Sequence, residues 1–426
     1  MRSWILAAAL LAPLVVLPAC KKGRTGGTVT VLGVWGGAEL ETFQRMVKPF
    51  EERTGVRVEF EATRDLDAVL TTRVAAGNPP DLAVLPSPGK MADLARQGKL
   101  VDLGGVLDVA KLRKSYAQGW IDLGSVDGKL VGIFPKADLK GLVWYDPRAL
   151  AAAGLSASPA TLGELLGQAQ RVAAKGVTPF AIGIESGAAS GWVGTDWLEN
   201  ILLKTHGPET YRAWYEGRLA WTSPEVKLAF ETWGQIVGDP KLTYGGRPYV
   251  LSTNFGSAFT PLFEAPPRAY FHFQATFIQG FITKQYPSLR AGEDFRFFAL
   301  PPVRPEYADA AEISGDLVGM FRDTKAAAAF LAYLTTAEAQ SHWVKAGNGL
   351  SPNRDVSLDD YPNALARSAA QILTSAERTV FDASDMMPSK MNAAFWSGVV
   401  SFVANPDDLD RILAELEAVR GEAYAR

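Results

Sequence analysis

Apolar positions along this chain alternate between short unbroken runs and stripes spaced by three and four. Residues 28–35 form one such run, and the Gly36-Gly37 pair turns it into a helix on which Phe43, Met46, Val47 and Phe50 share a face. Gly55 marks the stop, and residues 56–60 alternate as a second strand. A short helix over residues 66–75 follows, then Pro79-Pro80 and an apolar strand over residues 82–85. This strand, helix, strand, helix, strand succession predicts a parallel sheet covered by helices on both faces.

The same grammar continues downstream. Thr161 and Glu164 have capping-box spacing and open a helix that ends near Lys175-Gly176. Ser223 and Pro224 begin one that reaches Val237 and is stopped by Gly238 and Pro240. Thr324 caps an alanine-rich helix to about residue 334, and Thr336 with Glu338 starts another ending at Gly347. The last stretch, residues 406–425, is amphipathic, with Ile412, Leu413, Leu416 and Val419 on one face. No internal repeat or low-complexity tract interrupts the body.

The N-terminus departs from this pattern. Arg2, an apolar stretch over residues 4–16 and the run Leu17-Pro18-Ala19-Cys20 have the charged, apolar and small-residue parts of a secretory signal. A cysteine directly after the cut resembles the lipobox of bacterial lipoproteins, whose thiol is lipidated before cleavage, although Pro18 stands where that motif has a small or β-branched residue. The alternatives are an ordinary signal peptide or a membrane anchor that happens to hold a cysteine. The stretch falls short of the roughly 20 residues that span a bilayer, which argues against the anchor. Residues 1–20 are thus expected to be a leader and residues 21–27 a linker. The mature domain is expected to be exported and tethered by lipid on Cys20 to the periplasmic or extracellular face of the cell membrane.

Composition narrows the classes. Without the leader roughly 400 residues remain, more than one core usually serves, so two lobes are expected. The net charge is −3 and no basic stripe is present, which argues against nucleic acid as a partner. Cys20 is the only cysteine, and the three histidines, His206, His272 and His342, are far apart, so a zinc site of His and Cys ligands is not expected.

The eleven tryptophans are the chain's most suggestive chemical feature. Several stand near acids: Trp35 with Glu39, Trp192 and Trp197 around Asp196, and Trp396 after Asp385. A pyranose stacks its C–H face on an aromatic ring while its hydroxyls need carboxylates, amides and cationic groups. Core packing is the ordinary fate of an aromatic, and the polar neighbours favour a pocket only for Trp35, Trp192 and Trp197. Trp35-Gly36-Gly37 follows the carboxyl end of the first strand, the edge where ligands bind in open α/β sheets. Neither GxGxxG nor GxxxxGK[ST] occurs. Asp81, just before the third strand, either accepts sugar hydroxyls or caps the turn after Pro80. Ser314-Gly315-Asp316 reads as a turn before the apolar residues 317–321, and its carboxylate serves an Asx-turn or a ligand. No Ser/His/Asp ordering or nucleophile elbow stands out, and abundant carboxylates alone do not make a glycosidase pair.

The run GNPPDLAVLPSP (77–88), with the leader and the Trp35 opening, resembles the extracellular solute-binding proteins of ABC importers, in the carbohydrate branch that includes maltose-binding protein. DGKLVGIFPKADLKGLVWYDPRAL (127–150) resembles the segment that crosses between lobes in that family. ISGDLVGMFRDTKAAAAFLAYLTTAEAQ (313–340) and GNGLSPNRDV (347–356) resemble the later return. SGWVGTDWLENILLKTHGPETYRAWYEG (190–217) and FDASDMMPSKMNAAFWSG (381–398) are similar to α-glucoside-binding members.

The resemblance implies a type II periplasmic-binding-protein fold, two α/β lobes joined by a hinge. Residues 28–136 and 312–340 would form the first lobe, residues 142–308 and 345–426 the second, with crossings at 137–141, 309–311 and 341–344. It further implies a non-enzymatic monomer without cofactor or metal. Such a protein would capture an oligosaccharide, in particular an α-glucoside such as a disaccharide, and hand it to an ABC-type permease, touching the membrane only through its lipid. Carried over by position, Trp35, Glu39, Asp81, Ser87, Lys136, Gly315 and Asp316 face the cleft from the first lobe. Trp192, Asp196, Trp197, Gln274, Asn353 and Arg354 face it from the second, although Pro352-Asn353-Arg354 lacks the aromatic or histidine sometimes found in that loop. A surface glycoside hydrolase and a same-fold receptor for a non-sugar solute are the competing readings.

Overall fold

The computed structural model of the chain describes residues 26–375 and 378–425. The expected leader, its Cys20 and the linker up to residue 25 lie outside the described residues. Among the described residues no helix is long and apolar enough to cross a membrane.

The N-terminal alternation takes the form its hydrophobic pattern predicts. Strand β1 (Thr28–Gly33), the helix Gly37–Thr54, β2 (Arg57–Ala62), the helix Leu66–Ala75 and β3 (Leu82–Leu85) follow in order. Phe43, Met46, Val47 and Phe50 are buried along one face of the first helix, which ends at Gly55 with φ of 72°. That left-handed position costs a glycine no Cβ clash. β1 lies parallel to β2 on one side and to β3 on the other.

The rest of the sheet is not parallel. After a short hairpin of β4 (Ser125–Val126) and β5 (Lys129–Leu130), β6 (Gly132–Leu139) runs antiparallel to β10 (Ala310–Met320), which is itself antiparallel to β3. β11 (Arg378–Phe381) adds to β10 in parallel. A separate sheet has β7 (Leu142–Tyr145) between β8 (His272–Gln274) and β9 (Arg296–Ala299), all antiparallel. Ser314-Gly315-Asp316 is therefore not a turn but the middle of β10. Gly315 permits this, because a Cβ there would lie 2.8 Å from the carbonyl oxygen of Lys136 on β6.

The helix starts downstream rest on the side chains the sequence nominates. Thr161 Oγ1 accepts from Glu164 N (3.2 Å), and Glu164 Oε2 accepts from Ala160 N (2.8 Å). Ser223, Thr324 and Thr336 likewise cap the helices Pro224–Val237, Lys325–Leu334 and Ala337–Ala346. The last helix begins at Leu409, after a 3-10 turn over Pro406–Asp408.

Two large apolar clusters form, one around the six-stranded sheet and one around the helices Trp192–Tyr215, Pro224–Val237, Ser389–Ala404 and Leu409–Ala423. β7 serves both: Leu142 and Trp144 point into the first, Val143 and Tyr145 into the second. The segment after residue 345 does not follow the expected boundary. Leu350 pairs with Ala137 and Asn353 with Tyr116, and Leu365, Ala369 and Phe381 all pack in the first cluster. The chain turns to the second cluster at β11, where Val380 packs in the second cluster and Phe381 in the first, and Ala383, Met387 and Met391 are buried in the second. The reason is β11: its pairing with the first half of β10 carries the whole intervening segment with it.

Candidate functional site

The register of β10 makes an opening. At Ile313 its two edges are taken by β6 and β11, and at Val318 by β6 and β3. β11 and β3 therefore share one edge end to end, and Ser314, Gly315 and Asp316 have no strand partner there. A cavity of about 340 Å³ occupies this gap and the space between the two clusters. Eight of the expected residues line it. Trp35, Glu39, Ser87 and Lys136 come from the exits of β1 and β3 and from β6, Gly315 and Asp316 from β10, and Trp192 and Asp196 from the start of the Trp192–Tyr215 helix.

Lys136 organises the first wall. Its Nζ lies 2.8 Å from Glu39 Oε1, 3.0 Å from Asp138 Oδ2 and 3.1 Å from Asp316 Oδ2. Trp35 Nε1 donates to Asp316 Oδ2 (2.7 Å), and Thr276 Oγ1 to Asp138 Oδ1 (2.8 Å). Burial pulls the ammonium toward neutrality, but the three acids outweigh it and hold Lys136 well above the usual lysine range. Burial raises Glu39 and Asp138 above the usual carboxylate range despite Lys136. Trp35 itself is only 1 % exposed, packed between Phe60 and Trp343. It orients Asp316 and offers no ring face.

Lys140 organises the second wall. Its Nζ bonds Asp196 Oδ1 (2.7 Å) and Asp382 Oδ2 and sits 5.3 Å from the centre of the Trp192 ring. Asp382 Oδ1 accepts from Ser384 Oγ (2.8 Å) and Asp385 N (3.0 Å). Glu312 Oε2 accepts from Asn200 Nδ2 (2.7 Å), and Glu199 Oε2 from Ala383 N (2.8 Å). Burial pushes Asp196 up to about 7, against the pull of Lys140, and raises Glu199, Glu312 and Asp385 well above the usual range. Burial opposes ionisation of Asp382 as well, yet Lys140, Ser384 and the Asp385 N–H hold it low. Asp196, Glu312 and Asp382 each bring an oxygen within 4.8 Å of the others, a spacing fit for a metal ion. The cation at hand is the Lys140 ammonium.

Five expected residues lie elsewhere. Asp81 sits at the start of β3, at the opposite end of the strand from the cavity, and its Oδ2 accepts from Thr30 N (2.8 Å) and Thr30 Oγ1 (2.9 Å). Trp197 falls five residues after Trp192, on another face of the helix, and stacks on Phe273 at 4.1 Å. Gln274 is fully buried in β8, its Oε1 accepting from Ala275 N (2.8 Å). Asn353 braces a turn, donating to Thr335 O (2.8 Å) and accepting from Asp355 N (2.8 Å). Arg354 is exposed and away from the cavity wall.

The wall also holds Arg64, Asp138, Lys140, Asp382, Asp385, Asn392 and Trp396, which the sequence reading did not select. Lys136, Asp138 and Lys140 did carry a signal, since charges at every second position of an apolar strand share one face. Asp385 and Asn392 had no comparable spacing.

Known proteins place this geometry. Over 404 residues the chain is 39% identical to the osmoprotective compounds-binding protein GgtB of Synechocystis sp., covering 93% of this chain and 95% of that one. Over 405 residues it is 36% identical to the alpha-glucosides-binding periplasmic protein AglE of Rhizobium meliloti, covering 92% and 87%. A solved chitin oligosaccharide binding protein superposes with a TM-score of 0.80 at 19% identity, over 94% of this chain and 100% of that one. That likeness shows the fold, two α/β lobes of the type II binding-protein kind. The model of the bacterial extracellular solute-binding protein family matches residues 36–341, and the chain belongs to that family.

Proposed function

We propose that this protein captures a compact α-glucoside between its lobes and delivers it unchanged to an ABC-type permease. Members of the family are carriers and not enzymes, so the chemistry of the site is recognition. The observation that carries the reading is the pairing, in one cleft, of the half-buried indoles of Trp192 and Trp396 with a wall of carboxylates. Both indole N–H groups are buried without a partner among the described residues. Indole faces suit the C–H face of a pyranose, and carboxylates accept its hydroxyls. The volume of about 340 Å³ is at the small end of ligand sites, about 300–1,000 Å³, which favours a disaccharide-sized solute over a long chain. The relative named for alpha-glucosides supports the same class.

Closure is set where the chain passes between lobes, near Lys140, Glu312 and Asp382, which main-chain bonds tie together: Lys140 N to Glu312 O and Asp382 N to Ile313 O, each 2.9 Å. Ligand that touches both lobes favours the closed arrangement by its differential affinity. Thermal unfolding with trehalose, sucrose, maltose and glucose tests the reading. An α-linked disaccharide at a hundred times its Kd adds about 2.7 kcal/mol of stability and is recovered intact after long incubation. A melting temperature unmoved by millimolar amounts of all of them would refute it. The same proposal places the lipid on Cys20. Cys20→Ala then moves the mature chain from the membrane fraction to the soluble one, and an unchanged distribution counts against the anchor.

A further inference from the structure

The charged groups of the cavity wall pair off and leave one buried acid and one base over. Lys136 takes Glu39, Asp138 and Asp316, and Lys140 takes Asp196 and Asp382. Lys90 lies 3.6 Å from Asp67, and Asp65 is exposed. Asp385 is different. It is 7 % exposed and lines the cavity, and its carboxylate has no hydrogen-bond or ion-pair partner among the described residues. Only its backbone is engaged, N to Asp382 Oδ1 (3.0 Å) and O from Ser87 Oγ (2.7 Å). Asn392, on the same wall and 5 % exposed, has a buried Oδ1 that is likewise unpartnered.

Arg64 is the matching base. Its Nε and Nη2 both donate to Ser186 Oγ (3.0 and 2.6 Å), Nη1 lies 3.5 Å from Val34 O, and the guanidinium rests 5.2 Å from the centre of the Phe255 ring. No carboxylate comes within ion-pair distance of it among the described residues. A guanidinium has five N–H donors in a fixed fork, and one hydroxyl and one long carbonyl contact do not use them up. A buried carboxylate or amide oxygen without a partner is costly, and native proteins keep few such groups. They persist where function supplies the missing partner.

We propose that Asp385 and Arg64 make the direct polar contacts that select the ligand, Asp385 accepting from a hydroxyl and Arg64 donating to an oxygen. Asn392 accepts a further hydroxyl. The leftover acid oxygens of Asp385 and the leftover guanidinium of Arg64 call for a solute that has both hydroxyl donors and oxygen acceptors. Glu39, Asp138, Asp196 and Asp316 then act chiefly through Lys136 and Lys140, as the shaped wall around it. This inference rests on the sugar reading of the cavity and sharpens it.

Calorimetric titration of the mature chain and its variants with trehalose, sucrose and maltose tests it. For a sugar that binds the wild type, Arg64→Ala weakens binding about 10- to 100-fold, the loss of one charged hydrogen bond, and Arg64→Lys recovers part of it, while Asp385→Asn weakens binding about 3- to 10-fold. Without sugar, Asp385→Asn melts at or near the wild-type temperature, since an amide of the same shape replaces an acid that makes no side-chain bond in the fold. Variants that bind as tightly as the wild type would overturn this inference alone. So would an Asp385→Asn chain that melts well below the wild type, which would make the acid structural. A wild type silent to all three sugars would overturn the sugar reading and this inference with it.

Discussion

Lys136 is the residue on which the first wall of the cavity depends. It is 3 % exposed and holds three carboxylates from three elements: Glu39 on the first helix, Asp138 on its own strand and Asp316 on β10. Methionine matches the side chain in length but leaves Glu39, Asp138 and Asp316 facing one another without a cation. Removing one partner of a buried ionic group costs about 3–5 kcal/mol. Lys136→Met is therefore expected to lose about that much unfolding free energy in urea at pH 7.5. The loss shrinks at pH 5.5, because burial already raises Glu39 and Asp138 and each takes up a proton more readily once Lys136 is gone. A loss below about 1 kcal/mol at pH 7.5, or one that does not depend on pH, would mean the cage is not held by its charge. The tryptophans show how little residue type alone decides at this scale. Trp192 lines the cavity while Trp197, five positions on, is fully buried against Phe273.

Local elements were largely legible in the sequence, because their signals are local. Thr161, Ser223, Thr324 and Thr336 cap the helices they were expected to cap, and the stripe from Phe43 to Phe50 is buried. Pairing between elements was not legible, since it depends on partners hundreds of positions away. Ser314-Gly315-Asp316 has the composition of a turn, yet β6 and β10 zip through it, and only the absence of a Gly315 side chain lets Phe134 and the Lys136 backbone approach. The same non-local pairing shifts the second lobe's expected C-terminal boundary, since with β11 paired to β10 the residues from Leu350 to Ala370 pack in the first cluster. Site residues divide along this line. Trp35, Glu39 and Ser87 sit at the carboxyl ends of strands or the helices after them, as the general rule for α/β sheets places ligands, and all three line the cavity. Asp81 sits at the wrong end of its strand. Asp385 and Asn392 reach the wall because the segment after β11 approaches the helix Pro88–Arg96 closely. There a Cβ on Gly89 would meet Met387 O at 1.9 Å.

At the scale of the whole molecule, the passages between lobes converge on a network with more acids than cations, and this sets how stability responds to pH. Asp196, Glu199, Glu312 and Asp385 are all raised by burial, while among the described residues Lys140 is the one ammonium that bonds directly into the group. An acid raised in the fold holds a proton that the unfolded chain gives up above about pH 4. Its stabilising contribution is complete below that pH and disappears as pH climbs through the folded value, about 7 for Asp196. Asp382 is held low and has the opposite sign, but its contribution is lost only on acidification below the usual aspartate range. Lys140, raised well above its usual range, changes nothing until strongly alkaline pH. Between pH 5.5 and 7.5 these four acids hold protons that the unfolded chain gives up, and they outnumber the three histidines, His206, His272 and His342, whose burial lowers them and works in the opposite direction. Each proton of difference costs about 1.4 kcal/mol per pH unit. Urea unfolding should show lower stability at pH 7.5 than at 5.5. Glu312→Gln, which removes one raised acid and leaves an oxygen for Asn200, should flatten that slope. A Glu312→Gln slope identical to the wild type would mean that Glu312 stays ionised in the fold and that Lys140 compensates it.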